Sequence, residues 1–250
     1  METFQKQFYR DQLRSARAVA LADAEGFQAV IHSLELIGQQ LVGEVLDLGK
    51  YEDELSNLAH ASPLSADIPS EWPGCHTTFR ALYNELRRAR NDAVHQGSYA
   101  RTLTDHAVEL TIILEDALMS DAVKVLQFMV RDVVEAQLWH PVSYVRQQML
   151  THSFSYIPVQ RETTWWLIPE YSLAQYLRGA PSQNTRKKRL ATPVGVAVAT
   201  NELLLLQADT VAPEDLIAET LQRIREHPVL VVDPAHEDVL AGLLSSSDVL

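Results

Sequence analysis

Arg90, Asn91 and His95 fall within six residues, and their side chains complement one another chemically. An imidazole titrates near neutral pH, so it can take up and return a proton. A guanidinium offers a fixed fork of donors to phosphate or carboxylate oxygens. Asn91 precedes His95 by four residues and shares its face if the helix continues, where its amide could orient the ring or bind a phosphate oxygen. No His, Asp or Glu cluster has metal-ligand spacing, so no metal is expected. The only cysteine, Cys75, can form neither an internal disulfide nor a cysteine metal cluster, and is expected to be a buried or half-buried thiol.

The element that must position these residues is a helix carrying Phe79, Leu82, Leu86, Ala89 and Ala93 at spacings of three and four. Gly97 is expected to end it. On a helical wheel Arg90 lies about 40° from the apolar axis, whereas Arg87, Asn91 and His95 lie on the far side. A charge so close to a core stripe calls for a partner: a neighbouring helix, a second subunit or an anionic ligand. Arg80, Arg87, Arg88 and Arg90 make this the densest basic helix of an acidic chain.

Proline sets the wider frame. Residues 1–62 and 74–140 contain none; three fall in 63–73 and eight from 141 onward. Long helices are therefore predicted in the first half and mixed structure in the second. The first half fits helices over 3–22, from Asp23 with Phe27, Leu34, Ile37 and Leu41, over the arginine-rich segment, and from about 104 to 127. A loop is predicted over 61–74. Antiparallel helices with such stripes make a bundle.

Beyond residue 128 the apolar period changes. FSYIPV with WWLI, and PVLVVD with LAGLL, read as two hairpins. Helical stretches SYVRQQMLTH and PEDLIAETLQRIREH precede them. A helix–strand–strand unit thus occurs twice, at an offset of 76 residues between Ser172 and Asp248. Between the copies lies RGAPSQNTRKKRL, a solvated linker or a phosphate-contacting loop.

Two family resemblances follow from these residues. RNDAVHQG, late in a bundle helix, resembles the HEPN superfamily over roughly residues 1–120. The resemblance implies a metal-independent endoribonuclease acting as a homodimer on an RNA substrate. His95 would be the acid/base for 2′-hydroxyl attack, Arg90 the phosphate stabiliser and Asn91 an orienting group. Some toxin–antitoxin members carry Tyr two residues after the His; here that position is Gly97. The repeat resembles a pair of CBS motifs, a nucleotide-sensing module, over about 128–250. Gly242, Ser245 and Asp248 match the element that ends each copy. By that resemblance Ser245 would meet a phosphate and Asp248 the ribose hydroxyls of an adenine nucleotide such as ATP, AMP or an oligoadenylate. In the first copy those places hold Trp166, Pro169 and Ser172, so its site is expected to be degenerate. Trp165 and Trp166 are expected to pack at a domain or dimer surface.

The chain has 250 residues, 21 basic against 33 acidic, and a net charge of −12. Its 46% hydrophobic content excludes a disordered chain. The charge disfavours loose binding of nucleic acid over the whole surface, but not one local basic site. No apolar run approaches the roughly 18 residues of a membrane span, and the first residues do not read as a signal peptide. The expectation is an α+β, cytoplasmic protein with no membrane association. An all-α bundle over 1–125 precedes an α/β CBS pair over 126–250, with copies at 128–178 and 191–250 and a linker at 179–190. The leading function is an adenine-nucleotide-regulated endoribonuclease with no catalytic cofactor, of toxin or antiphage type, which an antitoxin partner would hold silent in a third reading. The alternative is a non-catalytic nucleotide-sensing and dimerisation protein that binds RNA or a partner protein.

Overall fold

The computed structural model describes every residue except 24–25, 92–96 and 225; of residues 91, 97–101, 237 and 238 it describes the backbone alone. The chain divides into two compact units, Met1–Ala122 and Val123–Leu250. The divide falls before residue 125 because Val125 N–H bonds to the Asp215 carbonyl and Lys124 bridges to Leu216.

The first unit is helical: α1 (Thr3–Ala22), α2 (Phe27–Val42), α3 (Glu52–Ala59), α4 (Asp67–Glu71), α5 (Phe79–Asn91) and α6 (Gly97–Met119). The predicted stripes form one core, with Leu13, Leu34, Ile37, Leu55, Leu82, Leu86, Leu110 and Leu114 buried. Three expectations are corrected. Gly97 begins α6 rather than ending the preceding helix. α6 stops at Met119, eight residues short of 127, because residues 123–127 pair with the second unit's chain. The segment 61–74 contains a 3-10 turn at Pro63–Ser65 and the short α4, whose prolines sit in first turns where no amide is needed.

Two tyrosines tie the connection after α2 to the bundle. Tyr51 packs its ring on α2 at Gly38, where any Cβ would overlap the ring. Its hydroxyl donates to the Glu44 carbonyl at 2.9 Å and accepts from Leu46 N–H at 2.6 Å. Tyr83, fully buried on α5, donates to the Leu48 carbonyl at 2.6 Å. Burial, and then the charge of Glu52, pushes its phenol above the usual range.

The second unit comprises α7 (Val125–Phe128), α8 (Val142–His152), β1 (Tyr156–Arg161), β2 (Thr164–Pro169), α9 (Glu170–Arg178), α10 (Gln183–Ala191), α11 (Val194–Ala199), β3 (Leu206–Gln207), β4 (Thr210–Val211), α12 (Ile217–Thr220), β5 (Val229–Asp233) and β6 (His236–Leu244). The two sheets have orders β1-β2-β3 and β4-β5-β6. Both apolar pairs form antiparallel hairpins, Pro158 opposite Leu167 and Leu230 opposite Leu243.

The repeat is reciprocal as well as sequential. Leu167 on β2 pairs antiparallel with Leu206, and Leu243 on β6 pairs antiparallel with Val130. Leu206 lies 76 positions after Val130, and Leu243 lies 76 after Leu167. Each copy's leading segment therefore edges the other copy's sheet, as a pseudo-twofold exchange requires. The parallel bridge of Ala136 to Val159 has its counterpart in β4 alongside β5.

Two more expectations change here. The linker is helical over Gln183–Ala191, capped by Ser182, whose hydroxyl accepts from Thr185 N–H at 3.2 Å. The helix predicted over 213–227 is reduced to the single turn Ile217–Thr220. Trp165 is buried with Leu167, Leu230 and Val232, side chains drawn from both sheets. Trp166 is half-buried against the core beneath α8 and α9.

Candidate functional site

On α5 the basic stripe is ion-paired. Arg90 places Nη2 2.6 Å from Glu35 Oε1 on α2 and Nη1 3.0 Å from Asp47 Oδ1. Arg87 reaches Glu52 Oε2 at 3.1 Å and Arg80 reaches Asp53 Oδ1 at 2.9 Å. Of the partners open to Arg90, the structure chooses a neighbouring helix and the turn that follows it. His95 lies outside the described residues, and of Asn91 only the backbone is described, so the geometry of Arg90 with these two is not on view. Among the described residues no group of three or more His, Cys, Asp and Glu could hold a metal ion. Cys75 is exposed rather than buried.

In the second unit, β6 runs out into a 3-10 turn, Ser246–Asp248, which ends on Asp248 and is capped by Ser245. Asp248 is buried, at 8% exposure. Its Oδ2 accepts from Ser245 N–H at 2.8 Å and from Ser245 Oγ–H at 2.7 Å. The serine and the aspartate are thus brought together, and the carboxylate is aimed before any ligand arrives. Both line a cleft of about 440 Å³. Val130, Phe154, Tyr156, Ile224 and Leu243 supply its apolar wall. Asp132, Glu226 and His227 stand at it too, with no Lys or Arg among its described lining residues. Three carboxylates favour a ligand that donates hydrogen bonds, as sugar hydroxyls do. Ser245 Oγ–H is already given to Asp248, so an anionic group there would be met by the hydroxyl of Ser246, which lines the cleft too.

The matching place in the first copy is closed. Ser172, 2% exposed, donates to the Leu204 carbonyl at 2.6 Å and accepts from Leu204 N–H at 3.0 Å. Its hydroxyl is occupied with backbone on both counts. Pro169 has no N–H to offer, and Trp166 fills the position of Gly242. Gly242 itself lets the leading segment cross: a Cβ there would meet Met129 Sδ and the Val130 carbonyl, each at 2.8 Å.

Sequence reading missed Asp132, Phe154, Ile224, Glu226 and His227. They come from the segment before α8, the turn before β1 and the turn before β5. No local pattern marks them; only the equivalence of the two copies could have pointed to those turns.

No protein-family model matches the chain, and no curated protein is significantly similar to it. Among solved structures it resembles a CBS-domain-containing protein, ATU1752, from Agrobacterium tumefaciens, at 17% identity over 51% of this chain and 91% of that one, with a TM-score of 0.39. It also resembles CBSX2 in complex with AMP, at 18% identity over 50% of this chain and 92% of that one, TM-score 0.37. A third is CbpB in complex with c-di-AMP, at 11% identity over 50% and 81%, TM-score 0.39. No helix among the described residues is long and apolar enough to cross a membrane.

Proposed function

We propose that the second unit is a CBS-type module that binds one adenine nucleotide in the Ser245–Asp248 cleft, and that the chain is a nucleotide-responsive, non-catalytic binding protein. The observation that carries this reading is the asymmetry between equivalent positions. Asp248 is buried, held by Ser245 and turned to a cleft of ligand size, whereas Ser172 is spent on Leu204. A preorganised carboxylate beside an apolar wall suits a ribose and a stacked base. The test is calorimetry with AMP and c-di-AMP on wild type and Asp248→Ala. Binding by wild type that weakens in the variant supports the assignment, and equal binding by both refutes it.

Arg90 weighs on what the helical unit does. Its two terminal nitrogens already serve Glu35 and Asp47, so an RNA phosphate must displace carboxylates to be held there. This favours a structural Arg90, and a helical unit that binds RNA or a partner protein, over hydrolysis. The second reading is the nucleotide-controlled endoribonuclease with Arg90, Asn91 and His95, carried by their residue chemistry and their spacing in the sequence. Cleavage of single-stranded RNA by wild type but not by His95→Ala would establish it.

A further inference from the structure

A second cleft, of about 610 Å³, opens among α8, α9 and α10. Its floor is apolar, with Met149, Leu173 and Leu177 buried. Three arginines line it from three elements: Arg146 on α8, Arg178 at the end of α9 and Arg186 on α10. Glu170 is the one acidic side chain among the described lining residues. Arg189, from the same basic run as Arg186, is already used: it donates to the Tyr176 carbonyl at 2.5 Å, lies over the Tyr176 ring and approaches Glu202. Arg186 differs. Its Nε is buried and has no hydrogen-bond partner. Among the described residues neither Arg146 nor Arg178 has a side-chain ion pair or hydrogen bond.

Three guanidiniums around one cavity repel one another, and a buried N–H without an acceptor is costly to keep. An anion with several oxygens offsets the repulsion, and a re-oriented Arg186 fork, Nε included, finds acceptors of matched geometry on it. We propose that this cleft is a binding site for the phosphate group of a small molecule, separate from the Ser245–Asp248 cleft. Arg186 anchors the phosphate from within, Arg146 and Arg178 close on it from the rim, and the apolar floor accepts whatever body the phosphate carries. The helix over Gln183–Ala191 matters because it brings Arg186 to the wall between α8 and α9.

The experiment is calorimetry on the full chain with inorganic pyrophosphate, phenyl phosphate and AMP, comparing wild type, Arg178→Gln/Arg186→Gln and Asp248→Ala. Wild type is expected to bind at least one of the first two probes. The double variant should weaken that binding roughly a hundredfold, about tenfold per charged hydrogen-bonding partner lost. Asp248→Ala should leave it unchanged. A preference for phenyl phosphate identifies a ligand with an aromatic body, and a preference for pyrophosphate a free phosphate; either supports the site. Should the double variant lose its circular-dichroism melt, the exposed Arg146→Gln with Arg178→Gln replaces it, with the same expected direction. The proposal is overturned if neither pyrophosphate nor phenyl phosphate binds, if the arginine variants bind as wild type does, or if Asp248→Ala abolishes their binding equally. AMP binding lost only in Asp248→Ala bears on the other cleft, so the two assignments fail separately.

Discussion

A single oxygen of Asp248 accepts two hydrogen bonds from Ser245, one from its amide at 2.8 Å and one from its hydroxyl at 2.7 Å. The pair closes the turn at the end of β6 and aims the carboxylate at the cleft. Asp248→Ala should therefore have two effects. It should weaken AMP or c-di-AMP binding at least tenfold in calorimetry, and lower stability by about 1 kcal/mol, as loss of a helix cap does. Asp248→Asn separates them: its amide oxygen can still cap the turn, but the charge is gone. Retained stability with weakened binding is the expected result.

Ser172→Ala supplies the contrast. Both backbone groups of Leu204 lose a buried partner, so a cost of roughly 1–3 kcal/mol is expected in denaturant unfolding. Nucleotide affinity should stay within twofold of wild type. A larger loss would place the ligand in the first copy.

Arg90→Ala removes the pairs with Glu35 and Asp47. The Asp47 side chain is 79% exposed, so that contact contributes little. The loss should amount to about 1 kcal/mol, a melting temperature lower by a few degrees. The difference should shrink in 0.5 M NaCl, where screening already weakens the wild-type pairs. A difference independent of salt would argue against an electrostatic role.

Glu115 on α6 is buried beside Arg14 and Arg17 of α1, at 3.4 and 3.1 Å. Burial pushes its carboxyl up more than the arginines pull it down. A carboxyl raised in the folded state contributes stability that is fully present below its unfolded pKa and is lost as pH rises through the folded value. Glu115→Gln, a neutral isostere, should thus melt at or above wild type at pH 7. That margin should close as pH falls from 7 towards the ordinary glutamate range. A margin that widens on acidification would contradict the assignment.

Gly242→Ala should cost roughly 1–3 kcal/mol, because the new methyl meets the Val130 carbonyl, a backbone atom that cannot swing aside. Gly74→Ala is the control: nothing lies within 4 Å of its Cβ, and an effect of about 0.5 kcal/mol or less is expected. Urea unfolding of the two variants measures the difference.

Much of the architecture was legible without coordinates. The apolar stripe of Phe27, Leu34 and Ile37 marked a buried helix face, since a spacing of three and four has one geometrical meaning. FSYIPV and WWLI marked a hairpin, and the 76-residue offset reappears as the exchange of Val130 and Leu206 between sheets. The motif singled out Ser245 and Asp248, but not the hydrogen bonds by which Ser245 holds the carboxylate. Boundaries were less legible. α6 ends at Met119 because Lys124 and Val125 find strand-like partners at Leu216 and Asp215, a competition that no local pattern records.

The amino-acid sequence by itself determined the main bundle helices and the two hairpins, that a unit repeats, and which side chains could do chemistry. Those properties depend on neighbours within a turn or two of chain. Tertiary structure alone decided which charges meet. Arg90 takes Asp47, 43 positions away, and Glu35 on another helix, because packing α5 against α2 brings them within reach. It also decided that Trp165 closes a core between sheets, that Ser172 is sealed while Asp248 faces a cleft, and that three arginines from three helices share one cavity. Side chains remote in sequence become neighbours only when the burial of apolar faces fixes how the elements pack.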